Sequence, residues 1–323
     1  MTTAPNANKV RQIHFFLEPA MPKWLNAKGR SLVELHSAVF LFGVAGLFGK
    51  LLTVGPTSIV FGRTVFAALS LLVVLRLAKA SFHLGSTRTA MTLFASGVVL
   101  AAHWVTFFHA IQISTVAIGL IGYATFPVFV TLLEPLLFRA KYSVVDVTTA
   151  GAVMVGLVIV APTIDPSDAA TRGLLWAVTS GFLYAVVTLM NRRLVERTPF
   201  LVVAFYQHSS ATVALVPFLF LVEAIVPDLQ GIGLLILLGI LCTALPQTLF
   251  IKALTTVKAQ LASVVAGLEP IYGIALAALL LGEIPGLTTL LGAAVVIGAV
   301  GIAMWAHAVT QRRRGDSPPP EVE

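Results

Sequence analysis

Charge is scarce in this chain: only 11% of its 323 residues are Asp, Glu, Lys or Arg, against about a quarter in a soluble globular domain. Cysteine is nearly absent. The single one, Cys242, sits in an apolar run, so there is neither a disulfide framework nor a cysteine-based metal site. Several catalytic signatures are missing too. There is no Walker A sequence, which argues against direct ATP hydrolysis by this chain. There is no acidic metal cluster, no Gly-x-Ser-x-Gly elbow and no His-Glu-x-x-His. The regularly spaced arginines of a voltage sensor are absent as well. No enzyme, resident metal or cofactor is expected. Residues 1–30 are polar and carry Lys9, Arg11, Lys23, Lys28 and Arg30 without the apolar core of a signal peptide. Within them Ile13-His14-Phe15-Phe16-Leu17, near Trp24, reads either as a short surface-lying amphipathic stretch or as part of a disordered tail.

What the chain does have is apolar surface. Hydrophobic residues make up 58% and the mean hydropathy is +0.94, more than a water-soluble core can hide. Lipid is the solvent for most of it. A bilayer core of about 30 Å needs about 20 apolar residues in a helix. Ten such runs are predicted, at 33–53, 57–78, 88–110, 115–138, 144–161, 172–191, 200–222, 231–252, 258–281 and 286–307. Several connections are short, as at Val54-Gly55-Pro56, and leave little room for a soluble domain.

The charges test this count. With the N-terminus inside, eighteen of the 21 Lys and Arg fall on one side: five in the tail, then Arg76, Lys79, Arg88, Arg139, Lys141, Arg192, Arg193, Arg197, Lys252, Lys258 and Arg312 to Arg314. Lys50, Arg63 and Arg172 are the remainder. The opposite connections carry Asp165, Asp168, Glu223, Asp228 and Glu283. This is the positive-inside rule; it predicts both termini in the cytoplasm, an even number of spans, and a multi-pass protein of the cytoplasmic membrane. It also accounts for the net charge of +7 without nucleic acid as a partner.

Landmarks recur at one offset. Pro199 follows Pro56 by 143 positions, Phe250 and Ala253 follow Phe107 and Ala110 by the same distance, and so does Pro270 after Pro127. Five spans per copy is an odd number, so the second copy enters the membrane in the opposite direction. Inverted-topology repeats are the architecture of many secondary transporters, with a midplane site between halves that rock. The segment Ala259-Gln260-Leu261-Ala262-Ser263-Val264-Val265-Ala266-Gly267-Leu268-Glu269-Pro270, running on to Leu280-Leu281-Gly282-Glu283, resembles the EamA domains of the drug/metabolite transporter superfamily. The first half has the related Ala117-Ile118-Gly119-Leu120 and Pro127, with Phe138-Arg139-Ala140-Lys141 where the Gly-Glu would fall and Phe42-Gly43 for the more usual Trp-Gly. The resemblance implies an all-α membrane protein with repeats at 33–161 and 172–307, flanked by tails at 1–32 and 308–323. It also implies a small metabolite, such as an amino acid, as cargo, typically moved outward.

Charged groups at membrane depth are costly and face a cavity or a partner, which shortens the search for a substrate or proton site. Glu269 stands beside Pro270 in span nine, and a proline frees a backbone carbonyl and kinks the helix. A carboxylate there suits a cation or a proton, and the alternative is a structural Glu held by a neighbouring helix or by Arg63. Arg63 lies several residues into span two, where its planar fork suits a carboxylate or its stem snorkels outward. Lys50, near the outer end of span one, is expected to snorkel. His103, Phe107 and Ala110 share one face of span three, so His103 is a cavity or relay candidate; His109, six residues on, cannot pair with it around a metal and reads as interfacial. Gln207 with Tyr206 and His208, Gln247 beside Pro246, and Tyr123 and Tyr272 flanking the midplane prolines complete the polar set. Pro127 and Pro270 are the hinge candidates. Gly43, Gly46 and Gly49, and Gly298 with Gly301, read as helix-packing positions.

The expected function is therefore export of a small organic solute by a transporter, with protons and a second copy of the chain as further partners. An importer or a sugar-phosphate carrier of the same fold is the nearest rival, although a phosphate carrier needs two or more midplane cations. A membrane enzyme or sensor is the remoter one.

Overall fold

The computed structural model describes residues 27–138, 144–160, 165, 167–221 and 227–315. The readings made on the N-terminal tail up to residue 26, on Arg139, Ala140 and Lys141, on Glu223 and on the last eight residues lie outside them. Among the described residues every regular element is helical. In lipid the backbone must satisfy its own hydrogen bonds, so a helix is the only solution for an isolated apolar run. In chain order the α-helices are α1 Ala27–Leu51, α2 Pro56–Leu77, α3 Thr87–Ile113, α4 Val116–Tyr123, α5 Phe126–Phe138, α6 Val144–Val160 and α7 Ala169–Leu194. They continue with α8 Phe200–Leu219, α9 Leu229–Gly239, a π-turn at Ile240–Ala244, α10 Leu245–Ala253, α11 Ala259–Ala266, α12 Glu269–Leu281 and α13 Leu287–Gly315.

Side-chain caps fix several of the starts. Ser86, Thr115, Asp168 and Asp228 accept the backbone N–H of Thr89, Ile118, Thr171 and Gly231, satisfying donors that a helix start leaves open. Seven helical stretches are long and apolar enough to cross a membrane, counting α4–α5 as one and α9–α10 as another. Three shorter apolar helices, at Val147–Val160, Glu269–Leu281 and Leu287–Ala303, stand where spans five, nine and ten were predicted. Large apolar side chains such as Val144, Leu136 and Leu279 point outward at 71–80% exposure, as a lipid-facing wall requires.

Two predicted spans are each divided. Span four breaks after Tyr123 and resumes at Phe126; span nine breaks after Ala266 and resumes at Glu269. The two breaks differ by 143 positions at both edges, the offset of the sequence repeat. Each is a single tighter turn, with Thr125 N–H bonded to the Gly122 carbonyl and Leu268 N–H to that of Val265. The prolines that follow, Pro127 and Pro270, cannot donate to the preceding turn, which is why the helix restarts there. The tail expected at 308–323 is helical as far as Gly315. α13 runs on through Arg312, Arg313 and Arg314 to Gly315, because Gln and Arg sustain a helix beyond the lipid.

Packing repeats the same symmetry. α3 lies along α7, and α10 lies along α1; α4 and α5 rest on α7, and α12 and α11 on α1. α2 packs on α8 and α6 on α13, each pairing an element with its counterpart in the other half. The all-helical membrane fold is thus two inverted repeats. Glycine governs two of the close approaches. A Cβ on Gly43 would stand 3.0 Å from the backbone N of Gly273, and Gly156 and Gly292 oppose each other between α6 and α13. Gly298 and Gly301, by contrast, have open space around them, so that packing prediction fails; the close contact sits two turns earlier, at Gly292.

Side-chain ties mark the two ends of the bundle. At one end Lys252 reaches Glu34 at 2.6 Å, Arg192 reaches Glu134 at 2.8 Å, and Arg193 donates to the Leu137 carbonyl. Most of the described Lys and Arg sit here, and it is called the basic face below. At the opposite face Lys50 lies 3.8 Å from Glu283 and donates to the Ser114 carbonyl at 2.7 Å.

Candidate functional site

Breaking spans four and nine at the same depth leaves a cavity between the halves. Its wall is Phe42 and Ala45 of α1, Arg63 of α2, His103, Trp104 and Phe107 of α3, Tyr123 of α4, Tyr184 of α7 and Glu269 of α12. All nine are buried, at 7% exposure or less. The space left between them holds about one or two water molecules.

Arg63 is held from three directions. Its Nε donates to Thr243 Oγ1 at 2.9 Å, and its Nη2 donates to the Cys242 carbonyl at 3.3 Å. Its guanidinium carbon lies 4.2 Å from the centre of the Trp104 ring and 5.2 Å from that of Phe108. The π-turn makes this possible: its wider loop presents both Thr243 and the Cys242 carbonyl, and such turns inside α-helices often mark functional positions. Arg63 does not snorkel; it is 1% exposed.

Glu269 opens α12 at the second break. Its Oε2 is buried and has no hydrogen-bond partner. No ion pair of 4.0 Å or less forms between Glu269 and Arg63. The predicted alternative, that Arg63 neutralises Glu269 by direct contact, is not what the structure holds. His103 Nδ1 lies 2.8 Å from Ser180 Oγ, and its ring centre is 4.7 Å from that of Tyr184 and 5.5 Å from that of Tyr123. The result is an aromatic box with a cation on one wall and an unpartnered carboxylate on another. Such a box presents ring faces that attract cations and one fork that suits an anion.

Four predicted site residues, Glu269, Arg63, His103 and Tyr123, therefore meet in one cavity. Gln207 and Gln247 lie just behind it: the Tyr184 hydroxyl donates to Gln247 Oε1 at 3.2 Å, and Gln247 Nε2 to Gln207 Oε1 at 3.5 Å. Pro127 and Pro270 begin the helices that resume after the two breaks. Tyr272 and Lys50 are not brought to the cavity. The Tyr272 ring packs edge-on against Phe40, 5.5 Å between centres. Lys50 is tied to Glu283 instead of reaching outward. Gly282 ends α12 in the left-handed conformation, φ 68°, and this turns the Glu283 carboxylate onto the Val116 N–H at 2.9 Å, the start of α4. A carboxylate at a helix N-terminus is favoured there. His109 meets Trp176 edge-on at the same face.

Tyr184, Phe42 and Thr243 were not anticipated. A signal for Tyr184 was present: Ser180, Tyr184, Thr188 and Asn191 recur at helical spacing on a span with few other polar residues. Among the described residues no three His, Cys, Asp or Glu side chains come together as a metal set.

The fold and this cavity can be compared with known proteins. An uncharacterized transporter of Bacillus subtilis, YxxF, is 24% identical over 86% of this chain and 90% of its own length. An uncharacterized transporter of Archaeoglobus fulgidus is 29% identical over 60% of this chain and 69% of its own. A solved crystal structure superposes with a TM-score of 0.67, covering 89% of this chain and 99% of its own at 17% identity, a likeness of fold. The model of the EamA-like transporter family matches twice, at residues 33–161 and 171–305, one match in each half. With both halves matched across two breaks at one offset, the chain belongs to the EamA-like transporter family and is a multi-pass membrane transporter.

Proposed function

We propose that the protein exports a small zwitterionic metabolite, of the amino-acid kind, across the cytoplasmic membrane by alternating access, with both termini in the cytoplasm. The observation that carries this reading is the buried cavity in which Arg63, from the first repeat, and Glu269, from the second, stand unpaired with each other. A solute carrying both charges matches that arrangement. Its carboxylate takes the guanidinium fork of Arg63. Its ammonium takes Glu269 Oε2 and the faces of Tyr123 and Tyr184. An apolar side chain fits against Phe42, Ala45 and Phe107. Entry of such a solute requires the walls to part, which rigid-body rocking of one repeat against the other supplies.

A sugar-phosphate cargo is disfavoured by the same wall, since Arg63 is its one cation. The direction of transport follows the family's habit, and the orientation follows the basic face. The reading is tested by comparing metabolites released from cells carrying the intact protein, the Glu269→Gln variant or no copy. Release of one amino-acid-like class by the intact protein alone supports it. Accumulation of that class inside cells carrying the protein makes it an importer, and no change in any metabolite with the protein correctly inserted overturns the proposal.

A further inference from the structure

The cavity does not end at Tyr184. From its hydroxyl a line of buried amides continues toward the basic face: Tyr184 to Gln247, Gln247 to Gln207, and Gln207 Nε2 to Asn191 Oδ1 at 2.8 Å. Gln247, Gln207 and Asn191 are fully buried. Tyr184 to Asn191 is seven residues of α7, about 10 Å along the axis, and the next residue, Arg192, is already tied to Glu134 at the basic face. The line therefore covers most of the inner half of the bundle.

Beside it stand four buried polar atoms with no partner: Thr188 Oγ1, Asn191 Nδ2, Thr248 Oγ1 and His208 Nε2. Asn191 and Thr188 share the helix face that carries the line, and the other two are chain neighbours of its amides. Thr188 lies one turn from both Tyr184 and Asn191 on the same helix face, Thr248 is next in the chain to Gln247, and His208, next to Gln207, packs against Trp104 with ring centres 5.7 Å apart. His208 Nδ1 is 2.7 Å from the Ala204 carbonyl, so Nδ1 carries the proton and Nε2 is left as an open acceptor. Leaving four such groups dry is costly, and protein interiors meet this situation with buried water bonded to two or more polar groups.

We propose that this seam of α7, α8 and α10 binds a file of water molecules, and that the cavity carboxylate Glu269 exchanges its proton with the basic face along it. The amides order the file, and the proton passes from water to water, starting in the solvent at the basic face and ending on Glu269 Oε2. Around that carboxylate the titratable neighbours are Arg63 of α2, His103 of α3, Tyr123 of α4 and Tyr184 of α7; α1 contributes only Phe42 and Ala45. His208 and Cys242 are the titratable groups behind them. The inference deepens the transport reading by naming its coupling path, yet neither of its tests needs a transported solute.

Radiolysis of bound water marks the side chains beside it, so the first test is X-ray footprinting of the intact protein in lipid nanodiscs. Tyr184 and His208 are expected to be modified about tenfold faster than the equally buried Phe126 and Phe108, and equal rates overturn the water file. The second follows the infrared band of a protonated carboxyl, assigned to Glu269 by its loss in Glu269→Gln. Exchange of that proton for deuterium is expected to slow about tenfold in Gln207→Leu, and in Asn191→Leu, relative to the intact protein. Unchanged exchange, or no such band, overturns the proton route. A wet seam in a protein that moves no metabolite would leave this inference standing and sink the proposed export.

Discussion

Arg63 of α2 and Glu269 of α12 line one cavity from the two halves of the chain, and no ion pair joins them. Arg63 is anchored through Nε and Nη2 to Thr243 and the Cys242 carbonyl and stacks on Trp104, whereas Glu269 keeps an open oxygen. Their replacements should therefore move stability in opposite directions. Arg63→Gln removes two charge-assisted hydrogen bonds and the contact with Trp104, a loss of about 2–4 kcal/mol, read as a lower melting temperature in detergent. Glu269→Gln replaces a buried carboxyl that has no hydrogen-bond partner by a neutral amide of the same shape and should melt at the same temperature or higher. Both should abolish release of the cargo.

The ion pairs at the two faces predict a bias. Lys252–Glu34, at 2.6 Å with side chains 12% and 6% exposed, is shorter and more buried than Lys50–Glu283, at 3.8 Å with 27% and 24%. Exposed pairs contribute about 0–1 kcal/mol, and a buried pair that loses one partner costs several times more. Lys252→Met should therefore open the basic face, and Lys50→Met should change little. Spin labels on the basic-face ends of α1 and α10 would report it as a longer distance in the first variant only.

Gly43 and Gly298 make a controlled comparison. Leu at position 43 would drive a side chain into Gly273 and Tyr272, where α1 and α12 touch, with a cost of about 1–3 kcal/mol for overpacking. Position 298 has open space, so Gly298→Leu should leave the melting temperature unchanged. Equal losses from both would mean that α13 packs against something in the membrane.

Pro127 and Pro270 sit just past the two breaks. Proline is tolerated at the second residue of a helix, so substitution by Ala acts by restoring the backbone donor that lets the preceding helix run on through the break. Each variant is expected to melt higher while releasing cargo more slowly, because the turn that lets α12 move against α11 is then continuous helix. Faster release from either would show that the breaks shape the cavity without bending.

Much of this was written in the sequence, because lipid leaves few options. Scarce charge and ten apolar runs are enough for a helical membrane fold, and a charge or a histidine inside such a run stands out; Glu269, Arg63 and His103 were legible for that reason. Tyr184 and Phe42 were not, since an aromatic in an apolar run looks the same whether it faces lipid or a cavity. Lys50 was misjudged because its partner, Glu283, comes 233 positions later in the chain. The prolines gave the breaks away, but not that they would be complete, with two residues between helices.

The repeat has a consequence for how such a site arises. At the offset of 143, the counterpart of Glu269 is Phe126 and the counterpart of Arg63 is Tyr206, whose hydroxyl bonds the Phe82 carbonyl instead. Two copies of the first half assembled head to tail would surround a cavity with two arginines and no acid; two copies of the second would offer two acids and no arginine. A polar axis across the cavity exists only because the halves share one chain and have diverged. Fusion, not symmetry, is what gives this cavity two different ends.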